Sequence, residues 1–185
     1  MKIRAATEQD LPGIFAIYDH EVLHGTATFD TQPKTPAERL EWFRNDGGGR
    51  YPILVAEANP VAAEAAPTAA TTTIAGWARL YAWSPRKAYD RTAENAVYVH
   101  PQHRGRGVSR ALMQELMRLA PERGVRVLVA RIVEGNPASL ALHEALGFRT
   151  IGVMRRVGEK FGRLLDVRLM DRHLDGAWDA ATAGL

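Results

Sequence analysis

The run Val125-Arg126-Val127-Leu128-Val129-Ala130-Arg131-Ile132-Val133 constrains the fold of this chain more than any other stretch. It is nearly continuous in β-branched and apolar residues, with none of the polar alternation of a half-solvated strand, so it reads as a central strand buried on both faces. The flanking sequence supplies helices to cover it. Upstream, Val108, Leu112, Leu116 and Leu119 line one face of a helix that should stop or kink at Ala120-Pro121. Downstream, Asn136-Pro137 is an N-cap with proline at the first helical position. The helix it starts runs to Leu146, with Gly147 just past its end.

The rest of the chain extends this pattern. Residues 2–5 read as a short strand. Thr7 and Asp10 then form a capping-box-like start, followed by Leu11, Ile14, Phe15, Tyr18 and Val22 at helical spacing. Thr35, Pro36 and Glu38 open a second, short helix with Leu40 and Phe43, which Gly47-Gly48-Gly49 ends. Residues 51–58 and 74–83 are adjacent strands, residues 96–100 a further one, and the last two lie near 148–157 and 163–170. Between the adjacent strands, residues 59–73 have neither aromatics nor periodicity, and read as a flexible hairpin insertion. The order β α α β β β α β α β β predicts a mixed α/β sheet in a single domain over residues 1–174, with 175–185 as a C-terminal tail.

At 185 residues, two independent cores would each have fewer than about 100 residues, which favours one domain. With 46% hydrophobic and 24% charged residues the chain can bury a core, which excludes wholesale disorder. It has no cysteine, so disulfides, thiolate metal sites and acyl-cysteine chemistry are out, as suits a reducing cytoplasm. No stretch approaches the ~18 apolar residues of a membrane helix, and the first residues lack the apolar core of a signal peptide. A cytoplasmic protein with no membrane partner is expected. The net charge of +3 is unevenly spread. Residues 1–48 hold 5 basic and 8 acidic side chains, and residues 100–132 hold 7 basic and 2 acidic. An anion belongs in the middle of the chain.

His103-Arg104-Gly105-Arg106-Gly107-Val108-Ser109 joins an apolar strand to an amphipathic helix. The helix N-terminus offers unpaired N–H groups and a partial positive charge, and glycines let an anion approach the backbone. Position 110 is Arg, so the dinucleotide fingerprint G-x-G-x-x-G is unmet, and G-K-[ST] is absent. Taken alone, such a turn is either an anion site or an ordinary solvated turn.

Its neighbours decide. Arg104-x-x-Gly107-x-Ser109 after Val97-Tyr98-Val99, with Asn136-x-x-Ser139 and Leu146-Gly147-Phe148 downstream, resembles the GNAT superfamily of acyl-CoA N-acyltransferases. Within it, Ala88-Tyr89-Asp90-x-Thr92-Ala93-Glu94-x-x-Val97-Tyr98-Val99 is similar to the phosphinothricin and methionine sulfoximine acetyltransferase group. The resemblance runs from about Ile3 to Leu174. It implies an α/β (α+β) GNAT fold, a central mixed, mostly antiparallel sheet flanked by helices. It also implies a homodimer that uses acetyl-CoA (coenzyme A) as co-substrate, without a metal, to acetylate a small amino-acid-like amine directly in a ternary complex. Coenzyme A diphosphate is then expected on Arg104, Gly105, Arg106, Gly107, Val108 and Ser109. The pantetheine arm would follow Val97, Tyr98 and Val99, with Asn136 and Ser139 across from it. Phe29, Ser84, Arg86, Tyr89, Glu94 and Asn95 are the implied acceptor contacts. The chain departs from the family pattern at Ser109, usually Gly or Ala, at His143, often Tyr, and at Ser84, often Arg or Lys, which makes Arg86 the expected contact for the acceptor's acidic group.

Transfer to an amine needs a neutral nucleophile, a donor for the developing oxyanion and a proton for the leaving thiolate. Glu94 is the acid beside the cofactor strand and the expected base, a strand N–H between Val97 and Val99 the expected oxyanion donor, and His143 the expected proton donor. Two rival classes compete with this reading. His20-Glu21-Val22-Leu23-His24 matches the H-E-x-x-H helix of zinc hydrolases, but its histidines lie opposite Tyr18 and Val22, and the extended motif fails at Ala27 and Asp30. A non-catalytic domain, binding nucleic acid through the basic segments or sensing acyl-CoA, lacks interleaved aromatics and leaves Glu94 without a purpose. No nucleic-acid partner is expected.

Overall fold

The computed structural model describes residues 1–46, 49–58 and 74–175. In chain order its elements are β1 (Lys2–Ala5), α1 (Leu11–His24), α2 (Pro36–Asp46), β2 (Ile53–Glu57), β3 (Ile74–Ala82), β4 (Thr92–Val99), α3 (Val108–Leu119), β5 (Val127–Val133), α4 (Pro137–Ala145), β6 (Arg149–Lys160) and β7 (Arg163–His173). This is the order expected from the sequence. Two of the helix starts read from the sequence are realised in detail: Thr35 N–H donates to Glu38 Oε2 at 2.7 Å while Glu38 N–H reaches Thr35 Oγ1 at 3.3 Å, and Asn136 Oδ1 accepts from Ser139 N–H at 3.1 Å. The proposed insertion at 59–73, and the tail beyond Asp175, lie outside the described residues.

Ile53, Leu54, Val55 and Ala56 are all buried, so β2 needs cover on both faces. α1 and α2 provide it on one side, where Ile14, Phe15, Ile17 and Phe43 pack against Ile53, Val55, Ile74 and Trp77. α3 provides it on the other, where Val108, Leu112, Met113 and Leu116 pack against Leu54, Ala78, Leu80 and Leu128. Burying an aliphatic side chain of this size contributes about 1.5–3 kcal/mol. Gly76 allows α3 to sit close: a Cβ there would fall 2.9 Å from Val108 and 2.8 Å from the Tyr98 carbonyl oxygen.

The seven strands form one sheet in the order β1-β2-β3-β4-β5-β7-β6, antiparallel at every pairing except β4 with β5. Two boundaries differ from the sequence reading. β4 starts at Thr92 rather than Ala96, because its first residues pair on both sides, the polar Glu94 with Tyr81 and Val129; tertiary pairing overrides composition there. β6 and β7 run on to Lys160 and His173 as one long hairpin.

The parallel pair positions the site. β4 and β5 are paired only at Thr92–Val127, Ala93–Leu128 and Glu94–Val129. Beyond Glu94, β4 stays with β3 as far as Val99 and β5 stays with β7 as far as Val133. The two strands therefore part, and the sheet opens at its centre.

Candidate active site

The opening is a cleft of about 920 Å³, lined on one side by Asn95 to Val99 of β4 and on the other by Ala130 to Val133 of β5. His100 N–H donates to Ala75 carbonyl oxygen at 2.9 Å, so its backbone faces β3. Strand backbones alternate in direction, so the N–H and C=O groups of Val97 and Val99 face the cleft, where β5 no longer meets them. These are strand-edge donors and acceptors inside the protein.

The glycine turn closes one end of the cleft. Gly105 and Gly107 take φ of 72° and 78°, the left-handed region in which a side chain is strained. No atom lies within 4 Å of where their Cβ atoms would be, so the glycines serve backbone conformation and leave open space above the turn. Gly107 caps α3, whose twelve residues begin at Val108, and the first amides of the helix have no intrahelical acceptor. Gly105, Gly107, Val108 and Ser109 line the cleft; Arg104 lines it too and pairs with Glu21 of α1.

Glu94 sits at the fork where the strands part. Its side chain is 5% exposed, and its Oε1 accepts from Arg131 Nε at 2.7 Å, the arginine being half-exposed. Tyr81 stands opposite Glu94 in the register; burial and that neighbouring carboxylate push the Tyr81 hydroxyl up, so it stays protonated. The carboxylate also holds the Arg131 guanidinium firmly charged.

On the other face of β4, Asn95 meets His143 of α4. His143 Nδ1 lies 2.8 Å from Ser139 carbonyl oxygen, which can only accept, so the ring proton is on Nδ1. Burial lowers the pKa of this histidine, and the neutral ring takes Asn95 Nδ2–H on Nε2 at 2.9 Å. Asn95 Oδ1 is then buried with no hydrogen-bond partner. From the α1 side, Tyr18 hydroxyl donates to Asp30 Oδ2 at 2.9 Å and contacts Thr28 Oγ1 at 2.8 Å. The buried Lys160 ammonium at the tip of the β6–β7 hairpin ties this wall down, donating to Thr28 carbonyl oxygen at 2.8 Å and Glu21 carbonyl oxygen at 3.1 Å.

Residues 14–148, which carry every part of this cleft except the hairpin, match the model of the acetyltransferase (GNAT) family. The chain belongs to that family. It is 40% identical to an L-methionine sulfoximine/L-methionine sulfone acetyltransferase of Pseudomonas aeruginosa over 94% of each chain. It is 38% identical to an L-amino acid N-acyltransferase of Escherichia coli over 95% of each. A crystal structure of a GNAT superfamily phosphinothricin acetyltransferase from Sinorhizobium meliloti in complex with AcCoA superposes with a TM-score of 0.83 at 35% identity, covering 93% of this chain and 87% of the other.

Most residues singled out in the sequence of this GNAT enzyme converge. Phe29, Glu94, Asn95, Val97, Tyr98, Val99, Arg104, Gly105, Gly107, Val108, Ser109, Asn136, Ser139 and His143 all line the one cleft. Arg106 does not; it is exposed. Ser84, Arg86 and Tyr89 are also outside, on the loop before β4, with Ser84 Oγ accepting Arg86 N–H at 3.3 Å and both Arg86 and Tyr89 exposed. Arg86 therefore does not line this cleft. His143 also needs correction: its only proton is committed to Ser139, so the ring orients Asn95 instead of presenting an acid. His20 and His24 lie exposed on α1 with ring centroids 5.1 Å apart, Glu21 is turned to Arg104, and among the described residues no three potential ligands gather as a metal centre requires.

Sequence reasoning missed Arg131, Tyr81, Tyr18, Asp30 and Lys160. Arg131 left a signal, since a charged residue in an otherwise apolar two-face strand needs a partner. The others left none, because their roles depend on contacts across 10 to 139 positions of sequence.

Proposed function

We propose that this enzyme transfers the acetyl group of acetyl-CoA to the amine of a small amino-acid-like acceptor, both bound at once, and that it does so as a cytoplasmic homodimer. The observation that carries this is the fork itself: backbone groups of β4 that β5 leaves unpaired, a positive helix terminus at one end and a fixed carboxylate at the other. The residues fit coenzyme A. The first amides of α3 and Arg104 suit a diphosphate, the facing groups of Val97 and Val99 suit the amides of a pantetheine arm, and Asn95 Oδ1 is a buried acceptor that an amide N–H in the cleft would satisfy.

When bound, acetyl-CoA supplies an acetyl thioester. The new N–C bond forms as the C–S bond breaks, the amine loses one proton and the departing sulfur gains one. An amine of pKa ~9.5 is less than ~1% neutral at pH 7, a deficit of ~3.4 kcal/mol. Glu94 takes that proton, directly or through a water, and Arg131 and Tyr81 fix its orientation. The Val97 N–H, facing the cleft, donates to the thioester oxygen as charge builds on it. Desolvation pushes the Tyr98 hydroxyl pKa well above its ordinary value, so it keeps its proton and is no base.

The relatives named above act on methionine sulfoximine or sulfone, phosphinothricin and L-amino acids, which supports an acceptor carrying an α-amine and an acid group. Ile151, Val153, Val157, Phe161 and Leu164, all exposed on the β6–β7 hairpin, support a second copy covering that face. Thiol release from acetyl-CoA across a panel of amino acids and their sulfoximine and phosphinate analogues tests the activity. Intersecting initial-rate lines are expected for a ternary complex; parallel lines would overturn it. Sedimentation should give twice the chain mass.

A further inference from the structure

Residues 25–35 join α1 to α2 with no helix or strand of their own, yet Thr26, Ala27, Thr28, Phe29 and Asp30 line the main cleft. Backbone without a ladder keeps one shape only where side chains or packing hold it. From α1, the Tyr18 hydroxyl reaches Thr28 and Asp30. The other hold comes from the tip of the β6–β7 hairpin.

That tip is a tight turn. Lys160 pairs with Arg163, and between them Phe161 and Gly162 take φ of 54° and 67°, the two positive values of the turn that matches strand twist. Upstream, the register of β6 shifts between Met154 and Gly158, where Arg156 takes φ 54° and its N–H donates to Asp166 Oδ1 at 2.7 Å. A bulge of this kind re-aims the side chains around it. Gly158 and Lys160, two positions apart, share the strand face that meets residues 28 and 29. A Cβ on Gly158 would fall 2.1 Å from the Phe29 ring, so the ring rests where glycine leaves room. Beside it, the Lys160 ammonium donates to the Thr28 and Glu21 carbonyl oxygens. Lys160 is 4% exposed and does not line the cleft. Burial lowers its pKa, and the Glu21 and Asp30 carboxylates oppose that only through space. A buried charge is costly unless its hydrogen bonds are made, so the ammonium and the two carbonyls hold one another.

Resting on the acetyltransferase reading above, we infer that Lys160 is a positioning residue for the acceptor amine: its ammonium, with the seat that Gly158 leaves, fixes residues 25–30 and thereby where Phe29 stands in the cleft. The donor side does not depend on it. The glycine turn keeps its own backbone conformation, and α1 holds Glu21, and through it Arg104, by its own helical bonds. Loss of the ammonium therefore weakens acceptor binding and spares acetyl-CoA.

The chain has no cysteine, so Lys160→Cys carries a single thiol. Alkylating the unfolded variant with 2-bromoethylamine and refolding it restores an ammonium at lysine's reach, with sulfur in place of one methylene. Wild type taken through the same cycle is the control. Methionine sulfone is the acceptor, or the amino acid of the panel above that the wild type turns over fastest. Lys160→Cys should raise the acceptor KM at least ~10-fold with that for acetyl-CoA within ~2-fold, and the aminoethylated form should return to within ~3-fold of the control. Amide exchange in peptides from residues 25–35 should quicken at least ~10-fold in Lys160→Cys and recover on aminoethylation, while peptides from α3 stay unchanged. Gly158→Ala keeps the ammonium but crowds Phe29, and should raise the acceptor KM at least ~3-fold. If Lys160→Cys does not fold, Gly158→Ala decides, and a smaller change there overturns the inference. Equal losses for both substrates, no recovery with the restored ammonium, or unchanged exchange also overturns it and leaves the acetyltransferase reading intact. A wild type that acetylates no amine sinks that reading and the acceptor role with it.

Discussion

The two walls of the cleft are made of different material. Toward α3 and α4 the contacts offered to a ligand are backbone: the amides of the glycine turn, the edge of β4 at Val97 and Val99, and one capped asparagine. Toward α1 and α2 they are side chains: Glu94 with Arg131 and Tyr81, and Tyr18 with Asp30. A backbone wall tolerates side-chain change and resists change in φ. A side-chain wall behaves in the opposite way. On the proposed reading, the half that would hold the common donor is thus insulated from the half that would select the acceptor.

The sharpest way to break this contrast is Glu94→Gln, which keeps size and most hydrogen bonding but loses basicity. kcat at pH 7 should fall by ~10² to 10⁴, while calorimetric coenzyme A binding should be unchanged. The loss should shrink as pH rises toward the amine pKa, by ~1.36 kcal/mol per pH unit. A variant within threefold of wild type would remove Glu94 from the chemistry, and a deep loss without pH recovery would make it a positioning residue.

Gly107→Ala probes the other wall. Holding a residue with Cβ at φ 78° costs ~1–2 kcal/mol, so coenzyme A affinity should fall about tenfold with the acceptor KM unaltered. Equal losses for donor and acceptor would mean that the two walls are coupled.

His143 gives a smaller, pH-dependent effect. Its native pKa lies below the unfolded value of about 6.5 because burial disfavours the cation. The unfolded chain then binds more protons in that window, so stability is full above pH 6.5 and is lost as pH falls through the native pKa. The Tm of the wild type should drop on acidification, and His143→Gln should flatten part of that slope by ~2–4 °C per kcal/mol removed. An unchanged slope would contradict a buried neutral ring. The least effect is expected from Ser109→Gly: the useful group is the amide, so coenzyme A affinity should stay within threefold, and a large loss would show that the hydroxyl contacts the ligand.

The contrast between the walls also accounts for what could be read from the chain. The element order, the helix caps at Thr35 and Asn136, the two-face strand and the glycine turn are local: each depends on residues within a few positions, and each is written in hydrophobic period, capping chemistry or the need for positive φ. The family match rested on the same local runs, and it marked the backbone wall almost completely. Where β4 and β5 separate, which face of β3 meets α1, and which charge stands beside Glu94 are set by long-range pairing. Arg131 is 37 positions from Glu94, and Lys160 is 132 from the carbonyl it holds. No local pattern fixes such distances. Arg86 was the expected anchor for an acidic group because Ser84 stands where the family often has Arg or Lys, and His143 the expected acid because it stands where the family often has Tyr. Tertiary packing leaves Arg86 exposed on the loop before β4, and a carbonyl one turn away took the histidine's proton, because strand pairing and burial decide which side chains meet and which protons are free.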